Sequence, residues 1–194
     1  MKTKVKGKEI RGLSSSVIYG PNAAGKTNII GAMDVLRAII LRGNIRNSDE
    51  MRLPNISERK LELIPNNLNK LPKPTKFYIR FVEQDLLVEY ELIIDLGLFL
   101  DKSYQRKIKF EKLTINNKTI FERTENIDFF DLKVIEQYLI KEFRKNEDSA
   151  KALARNNLNP TELFLTNGFK MMFSSKLVSF ILEWFEEKFI VIYR

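Results

Sequence analysis

Gly20-Pro21-Asn22-Ala23-Ala24-Gly25-Lys26-Thr27 is the stretch whose reading decides the fold. It fits the pattern G-x-x-x-x-G-K-[ST] at every fixed position. Ser15, Ser16, Val17, Ile18 and Tyr19 read as a short buried strand running into Gly20. From Lys26 onward Ile29, Ile30, Met33, Leu36, Ile39 and Ile40 recur at helical spacing. Strand, glycine-bounded loop and helix together predict a phosphate-binding loop with a nucleoside triphosphate as ligand. A ligand-free Gly-rich turn would explain the two glycines, but not Lys-Thr in that register.

The chemistry needs these residue types in this order. Gly20 and Gly25 let the backbone curl so that successive N–H groups face one anion. Pro21 has no N–H, so the phosphate contacts are expected later in the loop, over Ala23 to Thr27. Lys26 is placed to reach the β- and γ-phosphates, and the Thr27 hydroxyl to ligate Mg²⁺. The helix N-terminus adds partial positive charge. The expected nucleotide contacts are thus Gly20, Pro21, Asn22, Ala23, Ala24, Gly25, Lys26, Thr27 and Asn28, with Thr27 on the metal.

Asn22 inside the loop and Asn28 just after it give G-x-N-x-x-G-K-T-N. Here the sequence resembles the ABC-type ATPase heads of the structural-maintenance-of-chromosomes, RecF and OLD group. The run from Val17 to Met33 is similar to bacterial AAA family ATPases of anti-phage and abortive-infection systems. Weaker resemblance follows at Thr75 to Glu83, at a Phe121-Glu122-Arg123 turn and at Asn159-Pro-Thr-Glu-Leu-Phe-Leu165. The resemblance implies an α/β P-loop NTPase, an incomplete ABC-type head with an antiparallel β-meander and a helical segment. It also implies ATP and Mg²⁺ as ligands, and hydrolysis coupled to DNA sensing or to control of an effector protein in antiviral defence. A homodimer or higher oligomer of the full-length protein is part of the same implication.

The 194 residues are 44% apolar and 30% charged, ordinary for one soluble globular domain, and the net charge of +8 leans toward an anionic partner. No apolar run approaches the length of a membrane span, and the basic start lacks the apolar segment of a secretory signal. The absence of Cys excludes disulfides and thiolate chemistry and fits a cytoplasmic site. The absence of His excludes His-based general catalysis, and with it the switch histidine that ABC-type heads place near the γ-phosphate.

Four segments are expected: 1–43 with the loop strand and helix, 44–75 as a connection, 76–130 as a meander, and 131–194 as a helical segment ending on a strand. Lys2, Lys4, Lys6, Lys8 and Arg11 form a basic arm, read as a solvated or edge strand. Related heads begin with a longer hairpin, so part of that first sheet is expected to be missing. The helix should run from Lys26 to Arg42, closed by Gly43 and buried around most of its circumference. Residues 44–75 are rich in Asn and Pro and hold no Gln for the Mg²⁺-sensing role.

From Lys76 the apolar period becomes two, with turns at Gln84-Asp85 and Asn116-Asn117-Lys118, and a bulge expected between Phe110 and Leu113. Leu132, Ile135, Leu139 and Phe143 return to helical spacing, with Glu142, Arg144 and Lys145 outward. Thr161 offers a helix cap, although Glu162-Leu-Phe-Leu165 reads equally as a strand start. Ser174 or Ser175 caps a last helix whose Phe180, Trp184 and Phe185 read as core, before a strand over Phe189–Tyr193.

Leu92-Ile-Ile-Asp95 imitates an apolar strand ending in a metal-side aspartate. It alternates with Glu89 and Glu91, however, and Leu96 follows where a catalytic glutamate would stand, so Asp95 reads as the end of a hairpin strand. With no Asp-Glu strand, no Ser-Gly signature segment and a last stretch that reads as a strand, the chain is expected to bind nucleotide without turnover and to be part of a longer head. A small GTPase or kinase is the first alternative, but Asn117-Lys118-Thr119-Ile120 lacks the Asp of a guanine-reading motif. A nucleic-acid-binding module and a non-hydrolysing regulatory subunit are the others.

Overall fold

A computed structural model of the chain describes residues 2–5, 8–13, 15–22, 24–47, 62–65, 71, 73–101 and 103–191. Strands β1 (Lys2–Val5) and β2 (Lys8–Arg11) form a two-stranded antiparallel hairpin. After helix α1 (Lys26–Arg42) the period-two segments build one antiparallel meander. Its strands are β3 (Thr75–Glu83), β4 (Leu86–Asp95), β5 (Lys107–Ile115), β6 (Lys118–Arg123) and β7 (Ile127–Phe129), paired in chain order. Two tight turns set the register. Gln84-Asp85 and Asn116-Asn117 all have positive φ, the backbone that matches the twist of flanking strands.

The sheet has two unlike faces. Val88, Tyr90, Leu92, Ile94, Leu113 and Ile115 are buried on the inner one. The outer face carries cross-strand ion pairs Lys76–Glu91 (2.6 Å), Arg80–Glu89 (3.4 Å) and Lys112–Glu122 (3.1 Å). Such exposed pairs fix register more than they stabilise. The bulge lies earlier than its apolar pattern suggested. Ile93 pairs with Phe110 and Ile94 with Ile108, so Lys109 is the extra residue and Glu111 falls on the inner face. A second irregularity at Ile120 lets both Ile120 and Phe121 point inward. Phe121-Glu122-Arg123 is therefore the end of β6 rather than a turn.

Helix α1 has the expected bounds. Gly43 takes the left-handed conformation (φ 73°) and its N–H donates to the Ile39 carbonyl at 2.9 Å. Its burial differs from expectation. Leu36, Ile39 and Ile40 are buried, but Ile29 (50%) and Met33 (45%) are exposed. Ile29, Met33, Leu36 and Ile40 share one face by spacing, so a single apolar stripe is covered at its rear and bare at its front. A Cβ on Gly31 would meet nothing within 4 Å, so close packing does not account for that glycine.

The residues read at helical spacing from Leu132 to Phe143 are not continuous helix: a 3₁₀ helix at Leu132–Tyr138 is followed by α2 (Lys141–Lys145) and α3 (Glu147–Asn156). Leu139 and Ile140 are extended because the Ile140 N–H donates to the Phe173 carbonyl (2.9 Å), a tertiary bond that a continuous helix would forbid. The Arg144 side chain lies outside the described residues. After a π-helical turn at Leu165–Phe169 come α4 (Lys170–Met172) and α5 (Ser175–Glu183), which runs into a second π-helical turn at Trp184–Lys188. Ser174, not Ser175, is the cap: its Oγ accepts from the Leu177 N–H at 3.2 Å. Phe121, Phe129, Phe164, Phe169 and Phe173 fill the core between sheet and helices in stacked and edge-on pairs. Trp184 stacks on Phe81 at 3.9 Å, and Phe185 is buried.

The strand expected at Phe189–Tyr193 does not form over Phe189–Val191. The Phe189 N–H closes the preceding turn onto the Trp184 carbonyl, and its ring stacks on Trp184 at 5.3 Å. Ile192 and Tyr193 lie outside the described residues.

Candidate phosphate-binding site

Loop residues Ala24 and Gly25 lead directly into α1. Gly25 sits at the N-cap in the left-handed region (φ 81°), a conformation that a side chain would strain. The Asn28 and Ile29 N–H groups donate to the Gly25 carbonyl at 3.1 and 3.2 Å. By position in the first turn, the Lys26 and Thr27 N–H groups have no partner inside the helix.

Lys26 gives the loop its charge. Its stem passes over Gly20, where an added Cβ would lie 3.8 Å from the Lys26 Cδ. Its Nζ donates to the Gly20 carbonyl (2.8 Å) and the Pro21 carbonyl (2.6 Å). An ammonium has three donors; two tether it to the loop, and no other described residue accepts the third. The Ala24 N–H donates to the Pro21 carbonyl (3.3 Å) and is spent on the loop itself, which narrows the expected backbone contacts. Thr27 and Asn28 are exposed, and no described residue hydrogen-bonds the Thr27 hydroxyl. Gly20, Pro21, Asn22 and Ala24 are exposed, Gly25 and Lys26 half-buried, and Ala23 lies outside the described residues.

These residues fit a triphosphate. A tethered cation, a helix N-terminus and a left-handed glycine converge on one short loop. Thr27 offers one oxygen to Mg²⁺, which ordinarily keeps water and phosphate oxygens as its other ligands. Among the described residues, no group of three or more Asp, Glu, His or Cys could hold a metal.

The approach to the loop differs from the sequence reading. Ser15–Tyr19 is neither a strand nor buried, with Val17 70% and Tyr19 88% exposed. A strand apolar on both faces forms when neighbours flank it and layers cover it. The five-stranded sheet runs in chain order from β3 to β7, and none of its strands pairs with this stretch. Asp95 is likewise structural. It is buried at the end of β4, accepting from the Gly97 N–H (3.0 Å) and the Tyr104 hydroxyl (2.7 Å), with Lys109 at 3.6 Å. Burial works against its charge, but the Tyr104 and Gly97 hydrogen bonds and Lys109 outweigh it and hold its carboxyl below the ordinary value.

One polar cluster has no counterpart in the sequence reading. Glu111 is fully buried on the inner face of β5 and accepts four hydrogen bonds. They come from the Tyr90 hydroxyl (2.9 Å), the Phe164 N–H (2.7 Å), the Leu165 N–H (2.8 Å) and Arg123 Nη1 (3.3 Å). Arg123 also donates to the Glu162 carbonyl (2.6 Å) and the Asn159 carbonyl. Burial pushes the Glu111 carboxyl up, although Arg123, the two N–H groups and Tyr90 all favour its ionised form. The only sequence signal was a glutamate three residues after Ile108 in a strand, which a bulge turns inward.

The sequence profile of a family described as "AAA domain, putative AbiEii toxin, Type IV TA system" matches residues 15–170. The match takes in the loop, α1, the whole meander and the helical segment as far as α4. No curated protein and no solved structure matches the chain.

Proposed function

The chain belongs to this AAA-domain family of P-loop nucleotide-binding ATPases, and from that membership we propose that Gly20 to Asn28 bind ATP with Mg²⁺. The observation that carries the reading is Lys26, held by the Gly20 and Pro21 carbonyls at the N-terminus of α1. In this reading its remaining donor meets the β- and γ-phosphates, the first-turn N–H groups share the phosphate oxygens, and the Thr27 hydroxyl joins the metal shell.

The head is of the ABC type and partial. An antiparallel meander in a chain with a phosphate loop supports the type, and the half-bare stripe of α1 with the exposed Val17 and Tyr19 supports the incompleteness. Further polypeptide covers that face in the working enzyme, a cytoplasmic homodimer or higher oligomer. There ATP hydrolysis controls an effector or reports on DNA in antiviral defence; the toxin–antitoxin wording of the family description is compatible with effector control. No helix among the described residues is long and apolar enough to cross a membrane.

The isolated chain binds ATP with turnover near background. Its sequence has no His, and Asp95 is tied to Tyr104, Gly97 and Lys109. Where no group positions water, phosphate binding stabilises ground and transition states nearly alike. Nucleotide binding with and without Mg²⁺, together with phosphate release, tests this. Thr27→Ala should lose most of the Mg²⁺ dependence while retaining phosphate affinity. Robust phosphate release by this chain that Asp95→Asn abolishes would overturn the reading.

A further inference from the structure

Two stretches that stood out in the sequence, Phe121-Glu122-Arg123 and Asn159–Leu165, are far from the phosphate loop in the chain. They meet each other. Arg123 holds the carbonyls of Asn159 and Glu162, and Glu111 beside it holds the N–H groups of Phe164 and Leu165. The same 159–167 segment grips the chain leaving α1. The Leu163 N–H donates to the Gly43 carbonyl (2.8 Å), the Ile45 N–H to the Thr161 carbonyl (2.9 Å), and Asn167 Nδ2 to the Gly43 carbonyl (3.3 Å). Arg46 pairs with Glu162 and donates to Thr161 Oγ1 (3.1 Å). Gly43 leaves no room for adjustment, since an added Cβ would lie 2.5 Å from Thr166 Oγ1.

On its C-terminal side the phosphate loop continues into a rod that ends at this junction. Helix α1 has 17 residues, about 25 Å at 1.5 Å each. Its front half is the more exposed, with Ile29 and Met33 bare, and its rear half is fixed by Leu36, Ile39, Ile40, this junction and Arg37, which donates to the carbonyls of Phe185 and Glu186.

We infer that the contact of Gly43–Arg46 with Asn159–Asn167, seated on the Glu111–Arg123 pair, is the element that couples nucleotide occupancy of the loop to the β-sheet. This rests on the loop binding nucleotide. Phosphate bound at the first turn restrains one end of a stiff helix, and the restraint is felt where the other end is pinned. A loosened junction leaves more motion for nucleotide to freeze out, and so weakens binding. The coupling is reciprocal: whatever factor the junction adds to nucleotide affinity, nucleotide adds to the junction.

Hydrogen exchange read by mass spectrometry, with and without saturating ATP–Mg²⁺, is the test. Exchange at Ile45 and Leu163 should slow several-fold, while the β3–β4 hairpin tip is unchanged. Calorimetry on the partly exposed pair supplies the second arm. Arg46→Ala and Glu162→Gln should weaken ATP binding by about three- to tenfold with circular dichroism unaltered, and Arg46→Lys should recover most of it. ATP binding with unchanged exchange at Ile45 and Leu163, or with Arg46→Ala affinity within about twofold of wild type, overturns the coupling and leaves the binding site standing. No ATP binding by the wild-type chain overturns both.

Discussion

Replacing Glu111 by glutamine tests whether the buried carboxylate organises the fold. The wild-type side chain accepts from four donors on two oxygens: Oε1 serves Tyr90 and Leu165, and Oε2 serves Phe164 and Arg123. The substituted amide keeps one acceptor oxygen and turns an NH₂ group toward two of the four. Each buried donor left without an acceptor costs about 1–3 kcal/mol. Against this, burial already holds the carboxyl above its ordinary range, so removing the charge returns part of its desolvation cost. The net expectation is a loss of about 3 kcal/mol, or about 6–12 °C in Tm for a chain of this size. Urea unfolding followed by fluorescence reads it, because the single tryptophan, Trp184, is partly buried and stacked on Phe81 at the edge of the core. Arg123→Met in the same background should recover about 1–2 kcal/mol as coupling energy, since the guanidinium no longer needs the carboxylate. A loss below about 1 kcal/mol for Glu111→Gln, or strict additivity with Arg123→Met, would refute the idea that this pair is a mutually dependent unit.

Asp95→Asn should cost about 1–2 kcal/mol at neutral pH, through weakened bonds to Tyr104 and Gly97. Because the folded-state pKa lies below the ordinary 3.8, the wild-type advantage is complete above that value and lost as pH falls through the folded pKa. Urea midpoints from pH 7 to pH 2 should therefore converge at the acid end, and a constant gap would argue against the assigned cause. Ser174→Ala should lower stability by about 1–2 kcal/mol in a thermal melt, since its Oγ caps Leu177 and donates to the Tyr138 carbonyl. Ser175→Ala should stay within about 0.5 kcal/mol, and equal effects would remove the cap assignment.

Much of the architecture was legible because it rests on local chemistry. The bounds of α1 followed from Gly43, and the meander from alternating apolar residues with turn residues between them. What failed was settled by distant contacts. The break at Leu139–Ile140 depends on the Phe173 carbonyl, and the end of the last helix on Phe189 packing against Trp184. Glu111 was not singled out in the sequence, and it is the bulge at Lys109 that turns it inward. At the site, Lys26, Thr27 and Gly25 stand in the order the chemistry needs. The buried strand before them was read from apolar pattern alone, and pattern does not reveal whether a covering layer is present.

Calorimetric titration of ATP–Mg²⁺ into the wild-type chain and into Lys26→Ala tests the central claim most directly. The account predicts saturable binding to wild type and a loss of about ten- to a hundredfold in Lys26→Ala, the worth of one charge-assisted contact to phosphate. Equal affinity of the two proteins, or no binding to either, would contradict it.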